Sequence, residues 1–193
     1  MAEPNPDRRN ERSRQAILTA ALELCQEQNF AKVTMEGIAK RAGVGKQTIY
    51  RWWPSKAAIL LEALRDRARA SDDFPDTGDI VADLRDQMTQ VVEVFNDPVS
   101  AGYNSGLIAA AQSDPDIAKA IVDFIVQPRV EHCANRLKVA QQAGQVRDDV
   151  AAADIVELLY APLYYRFLLH TRPVSVEQLD LILELAFAGL TPR

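Results

Sequence analysis

Two short amphipathic segments joined by a glycine-containing turn lie between residues 34 and 53, and this feature constrains the fold most strongly. Ile38 lies on the apolar face of the first segment, and Ile49 and Trp53 are four residues apart in the second, so they share a face. Gly43 between the segments permits the left-handed backbone that a tight turn requires. The sequence therefore predicts a helix-turn-helix whose two helices bury one shared face.

Helical spacing of apolar residues continues along the chain, and no window alternates apolar and polar residues well enough to predict a strand. Asn29 is predicted to end the first helix, while Pro128 and Pro162 are predicted to kink or break theirs. We therefore predict an all-α protein. Its predicted helices outside the helix-turn-helix cover about residues 9–28, 56–70, 79–96, 103–113, 115–143, 150–170 and 175–190.

The charge is divided unevenly along the 193 residues. The whole chain carries −5, but residues 1–70 hold 13 basic and 8 acidic side chains and residues 71–193 hold 9 and 19, so the two parts carry +5 and −10. This division predicts that only the first part meets a polyanion. Turn-forming and acidic residues in 71–79 indicate a linker. We predict an arm at 1–10, a DNA-binding domain at 11–71 and a second domain at 72–193.

The predicted arm is flexible and basic. It and the start of the first helix carry Arg8, Arg9, Arg12 and Arg14, which suit DNA phosphates or a minor groove. A functionally quiet terminus fits the same residues.

Several classes of protein are excluded by composition and by missing motifs. No apolar run approaches the roughly 18–20 residues of a membrane span, and the charged start of the chain does not resemble a secretory signal. We therefore expect a cytoplasmic protein with no membrane partner, in which Cys25 and Cys133 are reduced and packed as small apolar groups.

Catalytic and metal-binding motifs are also missing. The sequence lacks metal-type Cys/His spacing, phosphate-loop and dinucleotide glycines and the nucleophile elbow. The adjacent pairs Asp72-Asp73 and Asp148-Asp149 are interpreted as linker and helix-start charges rather than acid/base pairs. We expect no enzyme activity, no cofactor and no metal site.

The exposed side of the second short helix carries residue types that recognise DNA. Lys46 and Arg51 can donate to guanine, Gln47 can pair with adenine, and Thr48 can meet a phosphate or a thymine methyl. Tyr50 lies on the same side. A helix about 10–12 Å wide fits the major groove. An ordinary solvated face is the alternative interpretation of these residues.

The stretch AGVGKQTIYRWWPSK at 42–56, preceded by AILTAALEL at 16–24 and TMEGIA at 34–39, resembles the TetR-type transcriptional regulators. The resemblance implies base or phosphate contacts from Lys46, Gln47 and Thr48, a phosphate contact from Tyr50, and anchoring of the DNA backbone by Thr34 and Lys56. The pattern departs from the family at Gly45, which gives the third helix no side-chain cap. It departs also at Trp52, whose indole either packs or donates to a phosphate.

The last two predicted helices are apolar on more than one face, so each needs two partners. We predict that one face closes the core of the subunit and the other forms a two-fold, four-helix interface with a second copy. A homodimer is also what the family resemblance implies, and a larger monomeric core is the alternative. The predicted interface residues are Leu159, Leu163, Phe167, Leu179, Ile182, Leu183 and Ala186.

The resemblance further implies that the second domain binds a small-molecule effector, which shifts the spacing of two DNA-binding heads. Aromatic residues between kinked helices suit an apolar or aromatic effector, although an aromatic stripe is more often part of a plain core. The candidate ligand-binding residues are Phe95, Tyr103, Phe124, Tyr160 and Tyr164.

These expectations combine into one function. The predicted architecture is an N-terminal three-helix helix-turn-helix domain followed by a C-terminal helical domain for ligand binding and dimerisation. This architecture predicts a transcriptional regulator. The family's usual mode is repression, in which a homodimer binds a palindromic, double-stranded DNA operator until the effector releases it. The alternative function is a ligand carrier or interaction module with a vestigial DNA-binding head.

Overall fold

The computed structural model describes residues 6–68 and 74–192, except for the side chains of residues 6–10, 29, 67 and 68. Every regular element in these ranges is helical, as the sequence predicts. The elements are α1 (Pro6–Lys32), α2 (Met35–Ala42), α3 (Lys46–Trp52), α4 (Lys56–Ala68), α5 (Ile80–Asn96), α6 (Pro98–Ala111), α7 (Pro115–Ile121), a π-helical segment (Val122–Val126), α8 (Gln127–Gln142), α9 (Ala152–Leu169) and α10 (Val176–Leu190).

Two predicted helix boundaries differ from those of the structure. α1 continues past Asn29 to Lys32, and α6 begins at Pro98 rather than Tyr103. The Asp97 carboxylate accepts a hydrogen bond from the Ser100 amide at 2.8 Å, so an N-cap precedes Pro98 in the first turn of α6.

The two interior prolines affect their helices differently. Pro128 has no amide to donate to the carbonyl four residues earlier, and the single helix predicted at 115–143 is divided by the π-helical segment just before it. Pro162 does not break α9, and its own carbonyl accepts a hydrogen bond from the side-chain amide of Gln178 at 2.9 Å. Both prolines therefore lie inside continuous helical chain.

The chain packs as two compact units. The first contains α1 to α4, α7 and most of α6, and the second contains α5, α8, α9 and α10. Residues 102–125 therefore pack with the first unit, although they follow the predicted domain boundary at 71/72 in the chain. Tight packing of Gly106 on Phe30 accounts for this, since an added Cβ on Gly106 would lie 2.7 Å from the Phe30 Cβ.

Each unit has its own apolar core. Ile38, Ile49 and Ile59 are fully buried in the first unit, and Leu84 and Leu159 in the second. Cys25 and Cys133 are free, buried thiols, one in each core, as the sequence predicts. No helix in the described ranges is long and apolar enough to cross a membrane.

A buried ion pair joins the start of the second unit to its core. The Asp83 side chain, 1% exposed, accepts two hydrogen bonds from Arg136, at 2.6 and 2.9 Å, and one from the Thr77 hydroxyl at 2.6 Å. Burial opposes ionisation of Asp83, but these hydrogen bonds outweigh it and lower the pKa of the carboxyl. Asp76 also contacts Arg136, at 3.1 Å, so the pair ties the segment before α5 to α8.

We expect Asp83→Ala to destabilise the second unit by about 3–5 kcal/mol, because it leaves the Arg136 guanidinium buried without its main partner. Urea unfolding monitored by circular dichroism would measure the loss. The matched control is Asp180→Ala, which removes the carboxylate of the exposed Arg85–Asp180 pair and should change stability far less. Equal losses from the two variants would contradict the structural role of the buried pair.

Candidate nucleic-acid interface

The turn between α2 and α3 is built by local hydrogen bonds. The Thr34 hydroxyl accepts from the Gly37 amide at 3.0 Å and caps α2. Gly43 has φ 66°, the left-handed conformation that ends α2, and the Val44 amide donates to the Ala39 carbonyl at 3.0 Å. Gly45 precedes α3 without a side-chain cap, so α3 depends on tertiary contacts to hold it.

Those contacts come from the apolar side of α3. Ile49 is 0% exposed and Trp53 4% exposed, in agreement with the predicted shared face. The Trp53 indole also donates to the Glu62 carboxylate at 2.6 Å, and the other oxygen of Glu62 accepts from Arg14 at 2.6 Å. Arg14 reaches Asp66 as well, at 2.8 Å, so this network joins the end of α3 to α1 and α4.

Sequence patterns do not reveal the network because its members are far apart in the chain. Glu62 lies 48 residues after Arg14, and no local pattern indicates that the two meet. Arg14 is consequently held inside the first unit rather than in a basic arm. α1 begins at Pro6, so residues 6–10 of the predicted arm are helical, while the side chains of Arg8 and Arg9 lie outside the described part.

The opposite side of α3 is exposed and polar. Lys46, Gln47 and Arg51 are exposed, Tyr50 is 49% exposed and Thr48 is half-buried. The structure thus brings the predicted base-reading side chains together on one surface. We call this surface, formed by residues 46, 47, 48, 50 and 51, the recognition face.

Trp52 lies beside this face rather than in the core. It is 41% exposed, its ring stacks on Trp53 at a centroid distance of 5.9 Å, and the Arg51 guanidinium lies 5.9 Å from its ring centre. An indole held in this way keeps one accessible side.

A carboxylate adjoins the recognition face. Glu36, in the first turn of α2, accepts a hydrogen bond from the Tyr50 hydroxyl at 3.3 Å and pairs with Lys46 at 2.6 Å. The hydrogen bond from Lys46 lowers the pKa of Glu36, and the same contact raises the pKa of Lys46. Sequence patterns do not reveal this contact, because residues 36 and 46 lie on different helices.

Lys56 is bound within the first unit. Its ammonium donates to the carbonyls of Phe30, Ala31 and Val33 at 2.9, 3.1 and 2.8 Å and lies 4.6 Å from the centre of the Phe30 ring. An ammonium has three N–H donors, and all three are used here. Lys56 therefore satisfies the carbonyls at the end of α1, which explains why α1 extends past Asn29, and its anchoring of the DNA backbone stays a prediction.

The predicted ligand-binding residues divide between the two units. Phe95, Tyr160 and Tyr164 belong to the second unit, whereas Tyr103 and Phe124 belong to the first. Tyr103 is buried, and Phe124 is 46% exposed with the Arg65 guanidinium 5.3 Å from its ring centre.

The three candidate ligand-binding residues of the second unit, Phe95, Tyr160 and Tyr164, lie among α5, α8 and α9. Phe95 meets the edge of Tyr164 and stacks on Phe167, with ring centroids 5.0 and 4.2 Å apart. The Tyr160 hydroxyl donates to the Gln87 side chain, and desolvation raises the pKa of both Tyr160 and Tyr164. The structure thus places two tyrosine hydroxyls in a poorly solvated part of this unit.

Most of the predicted dimer residues are buried in their own subunit. The predicted residues that are no more than 5% exposed are Leu159, Leu163, Phe167, Leu179 and Leu183. Since these side chains fill the core of the second unit, a single subunit presents little of their surface to a second copy, and their place in an interface stays a prediction. Ile182 and Ala186 are half-buried. The large exposed apolar side chains of α9 and α10 are instead Leu158, Tyr165, Leu168, Leu169, Leu181 and Leu185.

Comparison with protein families agrees with both parts of the fold. Residues 17–63 match the model of the bacterial regulatory proteins of the tetR family, and residues 74–186 match the tetracyclin repressor-like C-terminal domain. The chain belongs to the TetR family of transcriptional regulators. It is therefore a helix-turn-helix transcription regulator. The clustered recognition face on α3 gives this family assignment its physical basis.

Individual TetR-family relatives cover nearly the whole chain. The HTH-type transcriptional regulator YdeS of Bacillus subtilis is 32% identical over 94% of this chain and 91% of its own length. The crystal structure of the TetR family transcription regulator SCO0332 is 33% identical, covers 93% of this chain and 99% of its own, and has a TM-score of 0.79. A FadR structure from Bacillus subtilis in complex with stearoyl-CoA, 18% identical with a TM-score of 0.70 over 91% of this chain and 98% of its own, shares the fold.

We expect Lys56→Met to lower stability by about 1.5–3 kcal/mol, because three carbonyls lose their charged donor. It should not change the salt dependence of DNA binding. Lys46→Met is the matched comparison, since it removes the same charge from the recognition face and should weaken DNA binding. Urea unfolding and titrations at several salt concentrations measure both effects. A smaller slope for Lys56→Met with unchanged stability would restore Lys56 as a phosphate-binding residue.

Proposed function

We propose that this TetR-family regulator is a repressor that binds a palindromic operator as a homodimer and is released by a small-molecule effector. The observation that carries the proposal is the recognition face, where Lys46, Gln47 and Tyr50 are exposed while Ile49 and Trp53 secure the helix from behind. A helix presented in this way can enter the major groove with its polar side toward the bases. We propose that the protein has no catalytic role and that it functions in the cytoplasm.

Contacts with DNA are divided by chemistry. We propose that base edges are contacted by Lys46, Gln47 and Arg51. Phosphates or bases are contacted by Thr48 and Tyr50. The Thr34 hydroxyl, which accepts from Gly37, still has its own hydrogen to donate to a phosphate. The exposed indole of Trp52 is a further candidate phosphate donor.

The dimer interface is proposed to use the exposed apolar side of α9 and α10. Leu158, Tyr165 and Leu169 are 55 to 60% exposed and recur at helical spacing along α9, and Leu181 and Leu185 are 50 and 66% exposed on the neighbouring α10. A contiguous apolar surface of this kind is uncommon on monomers. Two copies joined here would form a four-helix interface, and a two-fold dimer suits half-sites roughly 34 Å or more apart.

The effector is proposed to bind in the second unit, near Phe95, Tyr160 and Tyr164. Aromatic walls with two poorly solvated hydroxyls suit an apolar or aromatic molecule that carries a few polar groups. The effector would weaken DNA binding only by the amount by which it favours the subunit arrangement that does not fit the operator. Residues 11–71 remain our proposal for the DNA-binding domain and 72–193 for the effector and dimerisation domain.

Alanine at Lys46, Gln47 and Tyr50 together should abolish operator binding and leave the fold intact, because these side chains are exposed. Fluorescence anisotropy on operator fragments selected from random DNA would measure the loss, and circular dichroism would verify the fold. Lys40→Ala, which removes an exposed charge from α2 outside the recognition face, is the control and should retain binding. Unchanged binding by the triple variant would instead favour a carrier with a vestigial head.

Leu185→Asp should produce folded monomers and weaken operator binding, because a carboxylate would have to be buried between two copies. Light scattering over a range of concentrations measures the mass. The control Val139→Asp changes a side chain of α8 that is 47% exposed, and this variant should remain a dimer. A wild-type protein of monomeric mass at all concentrations would contradict the proposed interface.

A further inference from the structure

Glu36 is an acidic side chain at the edge of a surface proposed to meet a polyanion. It is 54% exposed and pairs with Lys46, which is 61% exposed. Both the Lys46 ammonium and the Tyr50 hydroxyl contact the same carboxylate oxygen, Oε1, at 2.6 and 3.3 Å. A carboxylate accepts at about four lone-pair sites, so Glu36 retains capacity for another donor.

A carboxylate beside DNA phosphates is unfavourable unless it meets a donor. Among groups in the major groove, the exocyclic amino group of cytosine is the donor that a glutamate ordinarily accepts from. Lys46, held beside Glu36, is a donor whose preferred base partners are the O6 and N7 of guanine. The ion pair therefore presents a donor and an acceptor side by side.

A G·C base pair presents the complementary arrangement. Its major-groove edge offers two guanine acceptors next to one cytosine amino donor. An A·T pair offers adenine N7 and thymine O4 as acceptors on either side of the adenine amino donor, so it lacks the two adjacent acceptors that guanine presents to an ammonium. The chemistry of the Glu36–Lys46 pair thus favours G·C.

We propose that Glu36 is a specificity-determining residue that reads one G·C pair in each operator half-site together with Lys46. Lys46 donates to guanine, and Glu36 accepts from the amino group of cytosine. On DNA without that pair the carboxylate is left unmatched near phosphates, so Glu36 also disfavours non-specific binding. This inference rests on the proposed DNA-binding function of the recognition face.

The test is selection of binding fragments from random DNA by the wild-type protein and by Glu36→Gln. Glutamine has the same shape as glutamate but no charge. Its amide donates as well as accepts, so it can pair with adenine and no longer favours the cytosine amino group. We expect the wild type to select G·C at one position of each half-site. In Glu36→Gln that preference should fall by roughly 5- to 150-fold, the discrimination that one good base interaction supplies, with the other positions unchanged.

Glu27→Gln is the matched control. It removes the same charge from the same unit and also breaks an ion pair, since Glu27 is bonded to Arg41 at 2.6 Å, but Arg41 lies outside the recognition face. Its selected sequence should match that of the wild type. An equal loss of preference in Glu27→Gln would show a general charge effect and overturn the proposal.

A double-mutant cycle with Lys46→Met tests whether Glu36 and Lys46 recognise the base pair as a unit. If they do, Glu36→Gln should cause little further loss of G·C discrimination in the Lys46→Met background. An undiminished effect, or a G·C preference retained by a folded Glu36→Gln protein, would overturn the proposal. A wild type that selects no sequence would instead remove the proposed function itself. Thermal melting of each variant confirms that the helix-turn-helix is folded.

Discussion

The position of the recognition helix depends on tertiary contacts made by its last turn. α3 has only seven residues and no side-chain cap, and a helix of that length is unstable on its own. Burial of Ile49 holds one side of α3. Trp53, just after α3, is buried too, and its indole binds the Glu62 carboxylate that Arg14 also holds. The exposed side of α3 can therefore carry polar residues that are not needed to hold the helix in place and are accessible to a ligand.

Contacts within the first unit also decide which of its cations remain accessible to a partner. The net charge of residues 1–70 suggests a basic surface, but the structure separates the cations by what they contact. Arg14 and Lys56 are bound by carboxylates and backbone carbonyls within the unit, and Arg41 is paired with Glu27. Lys46 is paired too, but at an exposed site where a nucleic acid can replace or share its partner. The binding surface is thus smaller than the count of basic residues implies.

Sequence periodicity predicts the helices well and their outward faces poorly. A leucine on a helix apolar all round can face either the core or a second subunit, and spacing alone does not distinguish Leu159, which is buried, from Leu158, which is 55% exposed. Spacing also does not show which unit an aromatic residue joins, since Phe124 lies in the first unit and Phe95 in the second. The role of Lys56 is not predictable from its position because the carbonyls that it binds lie 23 to 26 residues earlier in the chain.

Local chemistry was sufficient for the helix-turn-helix. A threonine cap, a left-handed glycine and two apolar residues one turn apart act over a few residues, so the sequence alone determined the fold class, the turn and the polar side of α3. The tertiary structure alone decided which carboxylate meets which cation, and which leucines remain exposed. Those outcomes depend on contacts between residues tens of positions apart, which no local pattern records.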